Sequence, residues 1–232
     1  MNAKNFMALM VVGLFAVACS NDDDKKKEEK DPEVKEVVNG DYTSYADWTY
    51  INLETGATEK HPDATEWIYT NGNTTAAQTP EEIGIDWHIA IHRYEIKTNN
   101  GQACNTGATS LSEVKSLPTG VTWTSDETVS YESQQAEGVA EPLEVITDMA
   151  GMMTGNGVGY SKEPVLNKVL CDWTSRTPQS GMPPTLYEPR KKVLAVKFGD
   201  GSWAKLLFTD AGNTENNKSG YITWQYAFYP AE

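Results

Sequence analysis

The sequence predicts a single all-β domain, mostly antiparallel, interrupted by a short irregular or helical insertion. Several runs alternate apolar and polar residues and are rich in aromatic and β-branched side chains, which is typical of strands. Turn signals containing Asn and Gly separate these runs. The middle of the chain lacks such alternation. Residues 41–232 are numerous enough for one domain with a sizeable core.

Six runs are predicted to be strands. In chain order they are residues 48–53, 67–69, 85–96, 192–198, 203–208 and 221–229. The run 85–96 is the longest and is expected to be central. The turn Gly199-Asp200-Gly201 predicts a hairpin between the runs on either side of it. The last two runs are expected to pair across the loop 213–220.

The insertion consists of two stretches without clear alternation, residues 142–153 and 164–173. The second has some helical spacing, in Val165, Val169 and Trp173. Glycines between the two stretches predict flexible turns. A stiff Pro-containing loop, residues 180–185, then leads into the final hairpin.

The first residues are typical of an export signal. An apolar run follows Lys4 and ends at Ala18, which predicts a signal peptide over residues 1–18 that is too short to span a bilayer. The motif Ala16-Val17-Ala18-Cys19 resembles the lipobox of bacterial lipoproteins, in which the Cys is acylated. Cys19 is therefore the predicted lipidation site, the alternative being an ordinary secretory signal beside an incidental cysteine.

The residues after Cys19 are predicted to form a lipidated acidic tether over residues 19–40. Their charged run cannot bury apolar area and should remain solvated. Acidic residues directly after an acylated Cys resemble the surface-export signal of lipoproteins from Gram-negative anaerobes. We expect a lipid-anchored protein on the outer membrane, exposed at the cell surface, with no other contact with the membrane.

Composition excludes some classes of partner. The net charge is −14 at pH 7, which argues against nucleic acid and against a polybasic membrane surface. Seven Trp and eleven Tyr exceed the needs of a core of this size, so some aromatic side chains are expected to face a ligand or partner.

Two cysteines, Cys104 and Cys171, remain after the lipidation site. Outside the inner membrane they could form a disulfide, which would stabilise the fold by about 4 kcal/mol. The alternative is a pair of buried free thiols. The sequence leaves both open.

No motif of a known catalytic site is present. The chain lacks a Gly-x-Ser-x-Gly elbow, a phosphate loop, a His-Glu-x-x-His helix and a Cys-x-x-Cys pair. His88 and His92 fall on one face of the predicted long strand, but positions four apart on a strand are separated by about 13 Å. Separate hydrogen-bonded roles are therefore favoured over one shared metal ion. The sequence therefore predicts a protein that is not an enzyme.

The methionines outside the signal peptide are Met149, Met152, Met153 and Met182. All four lie outside the predicted strands, in segments that contain Gly or Pro. They could fill irregular gaps in the packing of the loops. Alternatively, thioethers from two loops could bind one soft metal centre, and thioether ligands are known at haem iron.

The order of several motifs resembles the HmuY family of haem-binding lipoproteins. These motifs are residues 48–56, 86–93 and 97–101, followed by Gly181-Met182-Pro183-Pro184 and a hairpin whose strand reads Trp-Ala-Lys-Leu. The similarity covers most of residues 45–229. It implies a mostly-β protein that takes haem (haem b, protoporphyrin IX) from host haemoproteins and passes it to a TonB-dependent outer-membrane receptor.

The resemblance also implies which residues hold the iron. The family's ligand-bearing regions correspond to residues 149–153 and to the Met182 loop, and neither contains histidine. The implied ligands are Met182 and one of Met149, Met152 or Met153, with Met152 favoured because Gly151 and Gly155 would let the backbone approach a flat ring.

Two alternatives stay open from the sequence. Arg176, Arg190 and Lys191 flank the Met182 loop and either contact the haem propionates or are simply solvated. The second function class is a cell-surface glycan- or protein-binding module with no haem site.

Overall fold

The fold is built almost entirely from antiparallel strands. A computed structural model of the chain describes residues 31–130, 146–178, 180 and 185–231. Within these residues the strands form one sheet of six, two sheets of four and two of two. The predicted class, an all-β and mostly antiparallel single domain with little helix, is confirmed.

The described part of the chain contains eighteen strands, most of them short, and three single helical turns. In chain order the strands are β1 (Lys35–Asp41), β2 (Asp47–Ile51), β3 (Thr58–Pro62), β4 (Trp67–Tyr69), β5 (Thr74–Thr75), β6 (Ile89–His92), β7 (Glu95–Thr98), β8 (Gln102–Asn105), β9 (Thr124–Ser125), β10 (Glu127–Thr128), β11 (Thr147–Asp148), β12 (Gly159–Ser161), β13 (Val165–Leu166), β14 (Thr174–Pro178), β15 (Thr185–Pro189), β16 (Val193–Lys197), β17 (Trp203–Gly212) and β18 (Ser219–Tyr229). The helical turns are α1 (Ala150–Met153), α2 (Lys168–Cys171) and a 3-10 turn (Leu111–Glu113).

The hairpin predicted around Gly199-Asp200-Gly201 is confirmed as β16 and β17. The Asp200 carboxylate accepts hydrogen bonds from the N–H and the hydroxyl of Ser202, at 2.9 and 2.6 Å, and Gly201 takes a positive φ of 94°. β18 pairs with β17, as predicted for the last two runs. The six-stranded sheet then reads β1-β18-β17-β16-β8-β9.

The main core lies between this sheet and the four-stranded sheet β3-β2-β6-β7. The smaller sheet contributes isoleucines from one of its faces. They pack with apolar side chains of the larger sheet, and the joint cluster includes Ile51, Ile89, Ile91, Ile96, Leu194, Val196, Leu206, Phe208 and Trp224.

The prediction of one long strand over residues 85–96 is wrong. The chain forms two short strands, β6 and β7, which pair with each other so that His92 lies opposite Glu95. The two residues between them make the turn, and Arg93 adopts a positive φ of 52°. Arg93 is held there because its guanidinium donates to the Thr43 carbonyl oxygen at 3.1 Å and lies over the Tyr45 ring at 4.2 Å.

A second core lies on the opposite face of the four-stranded sheet. Trp48, Tyr50 and Ala90 point into it, and the cluster is completed by Trp67, Val129, Ile146, Leu166 and Cys171. All four residues of β6 are buried. A strand covered on both faces shows little alternation, which is why this region reads as one continuous run.

The predicted helical spacing in residues 164–173 corresponds to the single turn α2. The Asn167 side-chain oxygen caps this turn by accepting from the Leu170 N–H at 3.1 Å. In the other stretch of the insertion, residues 142–145 lie outside the described residues and α1 ends the stretch at Met153.

The ordered domain begins before residue 41. β1 starts at Lys35 and pairs with β18, so residues 35–40 are part of a sheet rather than of a solvated tether. The predicted signal peptide and the lipidation site Cys19 lie outside the described residues.

Cys104 and Cys171 are both buried and both free thiols. The Cys171 sulfur accepts from the Ile96 N–H at 3.2 Å and its thiol donates to the Ile96 carbonyl oxygen at 3.5 Å. Burial raises the pKa of Cys171 to about 12, so the thiol stays protonated and unreactive. The structure thus corrects the alternative of a disulfide in favour of two buried thiols.

A methionine-bearing turn as the candidate functional site

Three of the candidate methionines lie on one helical turn, residues 149–153, called the methionine turn below. Met149 has helical dihedrals (φ −70°, ψ −20°), and the Met152 N–H donates to the Met149 carbonyl oxygen at 3.2 Å. Residues i, i+3 and i+4 share one face of a helix. Met149, Met152 and Met153 therefore project from the same side of the turn.

The opposite side of the turn packs on Tyr69 of β4. A Cβ atom added to Gly151 would lie 2.8 Å from Tyr69 Cε1 and would overlap the Gly157 carbonyl oxygen. Gly159 meets the same ring, with 2.6 Å between its added Cβ and Tyr69 Cε1. Gly151 is therefore needed for contact with Tyr69, which corrects one half of the reason for favouring Met152. The other half, Gly155, is not contradicted, because a Cβ at Gly155 would meet nothing within 4 Å.

The methionine side chains face solvent. Met149, Met152 and Met153 are 38%, 54% and 91% exposed, although methionine is a residue that usually packs inside. Within the described residues, none of their sulfur atoms takes part in a hydrogen bond. The packing role considered from the sequence therefore does not account for the methionine turn.

The loops that contact the methionine turn are polar, and the chain segment that contains the turn has no cationic residue. Residues 146–161 contain neither Lys nor Arg. The Asp148 carboxylate caps the turn by accepting from the Ala150 N–H at 2.9 Å. The Asn71 side-chain amide donates to the Gly155 carbonyl oxygen at 3.3 Å. The turn is thus fixed by neighbouring loops while its sulfur atoms stay accessible.

Met182, the fourth candidate, lies outside the described residues. The loop that contains it connects β14 and β15, which pair with each other from Thr174–Pro189 to Pro178–Thr185. Tyr187 of β15 stacks on Tyr94 with ring centroids 3.8 Å apart.

The three cationic residues beside the Met182 loop are not equivalent. Arg176 is 9% exposed and its guanidinium forms an ion pair with Glu95 at 3.3 Å, so it is not a solvated side chain. Arg190 lies at the base of the hairpin, where its N–H donates to the Trp173 carbonyl oxygen and its side chain pairs with Asp172 at 3.1 Å. The strand β15 therefore separates Arg190 and its neighbour Lys191 from the Met182 loop.

His88, just before β6, and His92, at its end, have separate hydrogen-bonded roles. His88 Nδ1 accepts from the Leu53 N–H at 3.1 Å, and its ring contacts two phenylalanine rings edge-on. Burial lowers the pKa of His88. His92 is buried and its Nε2 donates to the Tyr45 carbonyl oxygen at 2.9 Å.

The half-buried position of Lys97, beside two aromatic rings, was not predicted from the sequence. Its ammonium lies 4.1 Å from the ring centroid of Trp48 and 5.1 Å from that of Tyr50, whose hydroxyl it approaches at 3.3 Å. Burial lowers the pKa of Lys97 to about 8, although Asp63 and Asp126 act in the opposite direction. The available signal was the spacing of Trp48 and Tyr50, which puts both rings on one face of β2.

Most of the tryptophans belong to the hydrophobic clusters of the fold. Five of the seven tryptophans are buried, namely Trp48, Trp67, Trp173, Trp203 and Trp224. Of the other two, Trp87 packs edge-on against Tyr50 and Trp123 lies under the Lys197 ammonium at 4.6 Å. Trp87 and Trp123 are partly exposed, so the expectation that some aromatic side chains face a ligand or partner stays a prediction.

Two other features are absent from the described residues, a metal-binding cluster of His, Cys, Asp or Glu side chains and a membrane-spanning helix. The described part of the chain holds no group of three or more His, Cys, Asp or Glu side chains placed to bind a metal ion. Among the helices of the described residues, none has the length and apolar character needed to cross a bilayer.

Comparison with known proteins gives clear structural relatives. The crystal structure of the apo HmuY analog from Tannerella forsythia is 35% identical, with a TM-score of 0.68, and the match covers 86% of this chain and 96% of that one. A proposed HmuY-like haem-binding protein from Bacteroides vulgatus is 28% identical, with a TM-score of 0.59 and coverage of 86% and 92%. A proposed lipoprotein from Bacteroides fragilis is 26% identical, with a TM-score of 0.61 and coverage of 89% and 93%.

The family comparison agrees with these structures. No curated protein matches the chain. The family model described as HmuY protein matches residues 44–226, which is most of the described domain. The resemblance stated from the motifs is therefore confirmed, and the chain belongs to the HmuY family.

Proposed function

We propose that this protein is a cell-surface haem-binding lipoprotein that captures haem from host haemoproteins and delivers it to a TonB-dependent outer-membrane receptor. Membership of the HmuY family supports haem as the ligand, as does the relative from Bacteroides vulgatus described as an HmuY-like haem-binding protein. The observation that carries the proposal is the methionine turn, which presents three exposed thioethers from a turn packed on Tyr69.

The residues present fit a haem. A thioether is neutral and apolar, so these side chains can lie against a porphyrin ring without a charge to desolvate. Their sulfur atoms take no part in hydrogen bonds among the described residues. Bound haem supplies an iron that accepts thioether ligands. We propose Met152 and Met182 as those ligands, with Met149 and Met153 lining the same site.

The anchor is the second part of the proposal. Cys19 would carry the lipid, and the acidic residues after it would extend the domain away from the outer membrane. A relative described as a proposed lipoprotein supports this assignment. Labelling with a radioactive fatty acid should depend on Cys19, and Cys19→Ala should abolish it. Cleavage by added protease on intact cells would locate the domain at the surface.

The alternative class, a glycan- or protein-binding module, has less support. Sugar recognition would use exposed aromatic rings, whereas five of the seven tryptophans are buried and the other two, which are partly exposed, contact Tyr50 and Lys197.

Absorbance titration with ferric and ferrous haem tests the haem proposal. We expect a Soret shift that saturates, and tighter binding of the ferrous form because thioethers favour it. Met152→Leu and Met182→Leu should each weaken ferrous binding by more than about tenfold. Met149→Leu and Met153→Leu are the matched controls and should keep the spectrum of axial thioether ligation. Wild-type spectra in the first two variants would remove those residues from the iron.

The pH dependence separates thioether from imidazole ligation. Thioethers do not titrate, so haem affinity should change little between about pH 7.5 and about pH 5.5, whereas imidazole ligands would protonate near a pKa of about 6.5. A sharp loss of binding near pH 6 would rule out the pair of thioethers.

A further inference from the structure

The methionine turn has the geometry of a compact sulfur site in its own right. Met149 lies three residues before Met152 and four before Met153 on one helical turn, and pairs with these two separations have Cβ atoms about 5–6 Å apart. Gly151 and the Tyr69 ring occupy the other side, so the side chains cannot fold back onto the sheet. Three flexible thioethers can therefore converge on one point in front of the turn.

The chemistry of three thioethers is selective. Thioether sulfur is a soft, neutral ligand that suits Cu(I), whereas carboxylate and carbonyl oxygen suit harder ions. Within the described residues the three sulfur atoms are not engaged in hydrogen bonds, and the side chains are 38%, 54% and 91% exposed. A soft cation would meet accessible ligands that need no deprotonation.

The electrostatic surroundings favour a cation. Residues 146–161 contain no Lys or Arg, and the whole chain carries a net charge of −14. The Asp148 carboxylate lies at the start of the turn, where it accepts from the Ala150 N–H at 2.9 Å. A monovalent cation at the sulfur atoms would therefore be attracted rather than repelled.

We propose that Met149, Met152 and Met153 form a binding site for one Cu(I) ion, held by their three thioether sulfur atoms and filled without haem. The site lies on a single turn, so it is complete without a second loop. It does not depend on the proposed haem function.

Silver(I), which has the same charge and the same preference for sulfur without redox chemistry, is the probe for the test. The purified apo protein, with its methionine methyl groups labelled with ¹³C, is titrated with silver nitrate in chloride-free buffer. We expect the methyl signals of Met149, Met152 and Met153 to shift together and to saturate at about one equivalent. Each single Met→Leu change in the turn should weaken binding by about tenfold.

The controls separate this site from other sulfur atoms. The triple variant Met149→Leu, Met152→Leu, Met153→Leu should lose the saturable binding, and the exposed positions should tolerate leucine without unfolding. Met182→Leu should bind silver as the wild type does. Saturable binding that survives in the triple variant, or that disappears in Met182→Leu, overturns the proposal.

Haem titration of the same samples distinguishes the two proposals. If silver fails to bind while haem produces its Soret shift, the Cu(I) site is wrong and the haem function stands. If silver binds as expected and haem does not, the Cu(I) site stands and the proposed haem function is wrong.

Discussion

The Glu95 carboxylate and the Arg176 guanidinium form an ion pair at 3.3 Å, with both side chains almost fully buried, 1% and 9% exposed. Glu95 belongs to β7 of the four-stranded sheet and Arg176 to β14. The pair therefore joins the sheet to β14 and β15, the two strands that come before and after the Met182 loop in sequence. The stack of Tyr187 on Tyr94 reinforces this attachment.

Glu95→Gln should lower the free energy of unfolding by about 3 kcal/mol, because it leaves the buried charge of Arg176 without its carboxylate. Chemical denaturation near neutral pH measures the loss. Arg190→Gln is the matched control, because the Arg190–Asp172 pair is 31% and 55% exposed and such pairs contribute less than about 1 kcal/mol. Equal losses in the two variants would contradict the assigned role of the buried pair.

Gly151→Ala should displace the methionine turn. The new Cβ would lie 2.8 Å from Tyr69 Cε1 and against the Gly157 carbonyl oxygen, so backbone must move. We expect a loss of about 1–3 kcal/mol in the free energy of unfolding, and shifted methyl signals of the three turn methionines. Gly199→Ala serves as control, since a Cβ at Gly199 meets nothing within 4 Å. Unchanged methyl signals in Gly151→Ala would show that Tyr69 does not fix the turn.

Lys97→Met should stabilise the protein near neutral pH by about 1–3 kcal/mol. Burial lowers the folded-state pKa of Lys97 to about 8, below the unfolded value of about 10.4. Folding thus disfavours the charged amine below pH 8, and this cost is relieved as the pH rises from 8 towards 10. Urea denaturation between about pH 7 and about pH 9.5 should show the advantage of Lys97→Met shrinking. A difference that is constant or grows with pH would contradict the burial argument.

His61→Gln tests a group whose pKa is raised by folding, in contrast to that of Lys97. Burial alone would lower the pKa of His61, but hydrogen bonds to Glu59 and Glu81, at 3.1 and 3.0 Å, outweigh it and raise the pKa. This stabilisation is fully present below the unfolded pKa of about 6.5 and is lost as the pH rises through the higher folded pKa. The wild type should exceed His61→Gln by about 0.5 kcal/mol more at about pH 5.5 than at about pH 8.5.

Glu81→Gln removes one of the two carboxylates that contact His61 and should reduce the same pH dependence in part. A wild-type advantage over His61→Gln that increases with pH would overturn the assignment of these hydrogen bonds.

Local patterns were enough to predict part of the fold. β16, β17 and β18 follow from alternation and from one glycine-containing turn, because these features act between neighbours in sequence. The break at Arg93 could not be predicted, because the turn contains neither Gly nor Asn. Its positive φ is stabilised by Thr43 and Tyr45, which are distant in sequence. β1 reads as the end of a charged tether because it follows a charged run and, as the edge strand of its sheet, has no fully buried residue.

The residues of the candidate site could be predicted from the sequence, but their contacts and their exposure to solvent could not. The sequence indicated methionines outside the strands and glycines beside them. It could not show that Gly151 packs on Tyr69, or that Arg176 pairs with Glu95, because both contacts join elements far apart in the chain. The exposure of Met149, Met152 and Met153 follows from the first of these contacts, which fixes the opposite side of their turn.

The pairing of β1 with β18 constrains the order in which the protein can fold. The first strand to leave the ribosome borders the sheet only through the last strand, so it has no backbone partner in that sheet until β18 has been synthesised. A chain threaded through a translocation channel from its N-terminus would complete this edge late. Nascent chains should consequently remain sensitive to protease until Tyr229 has emerged.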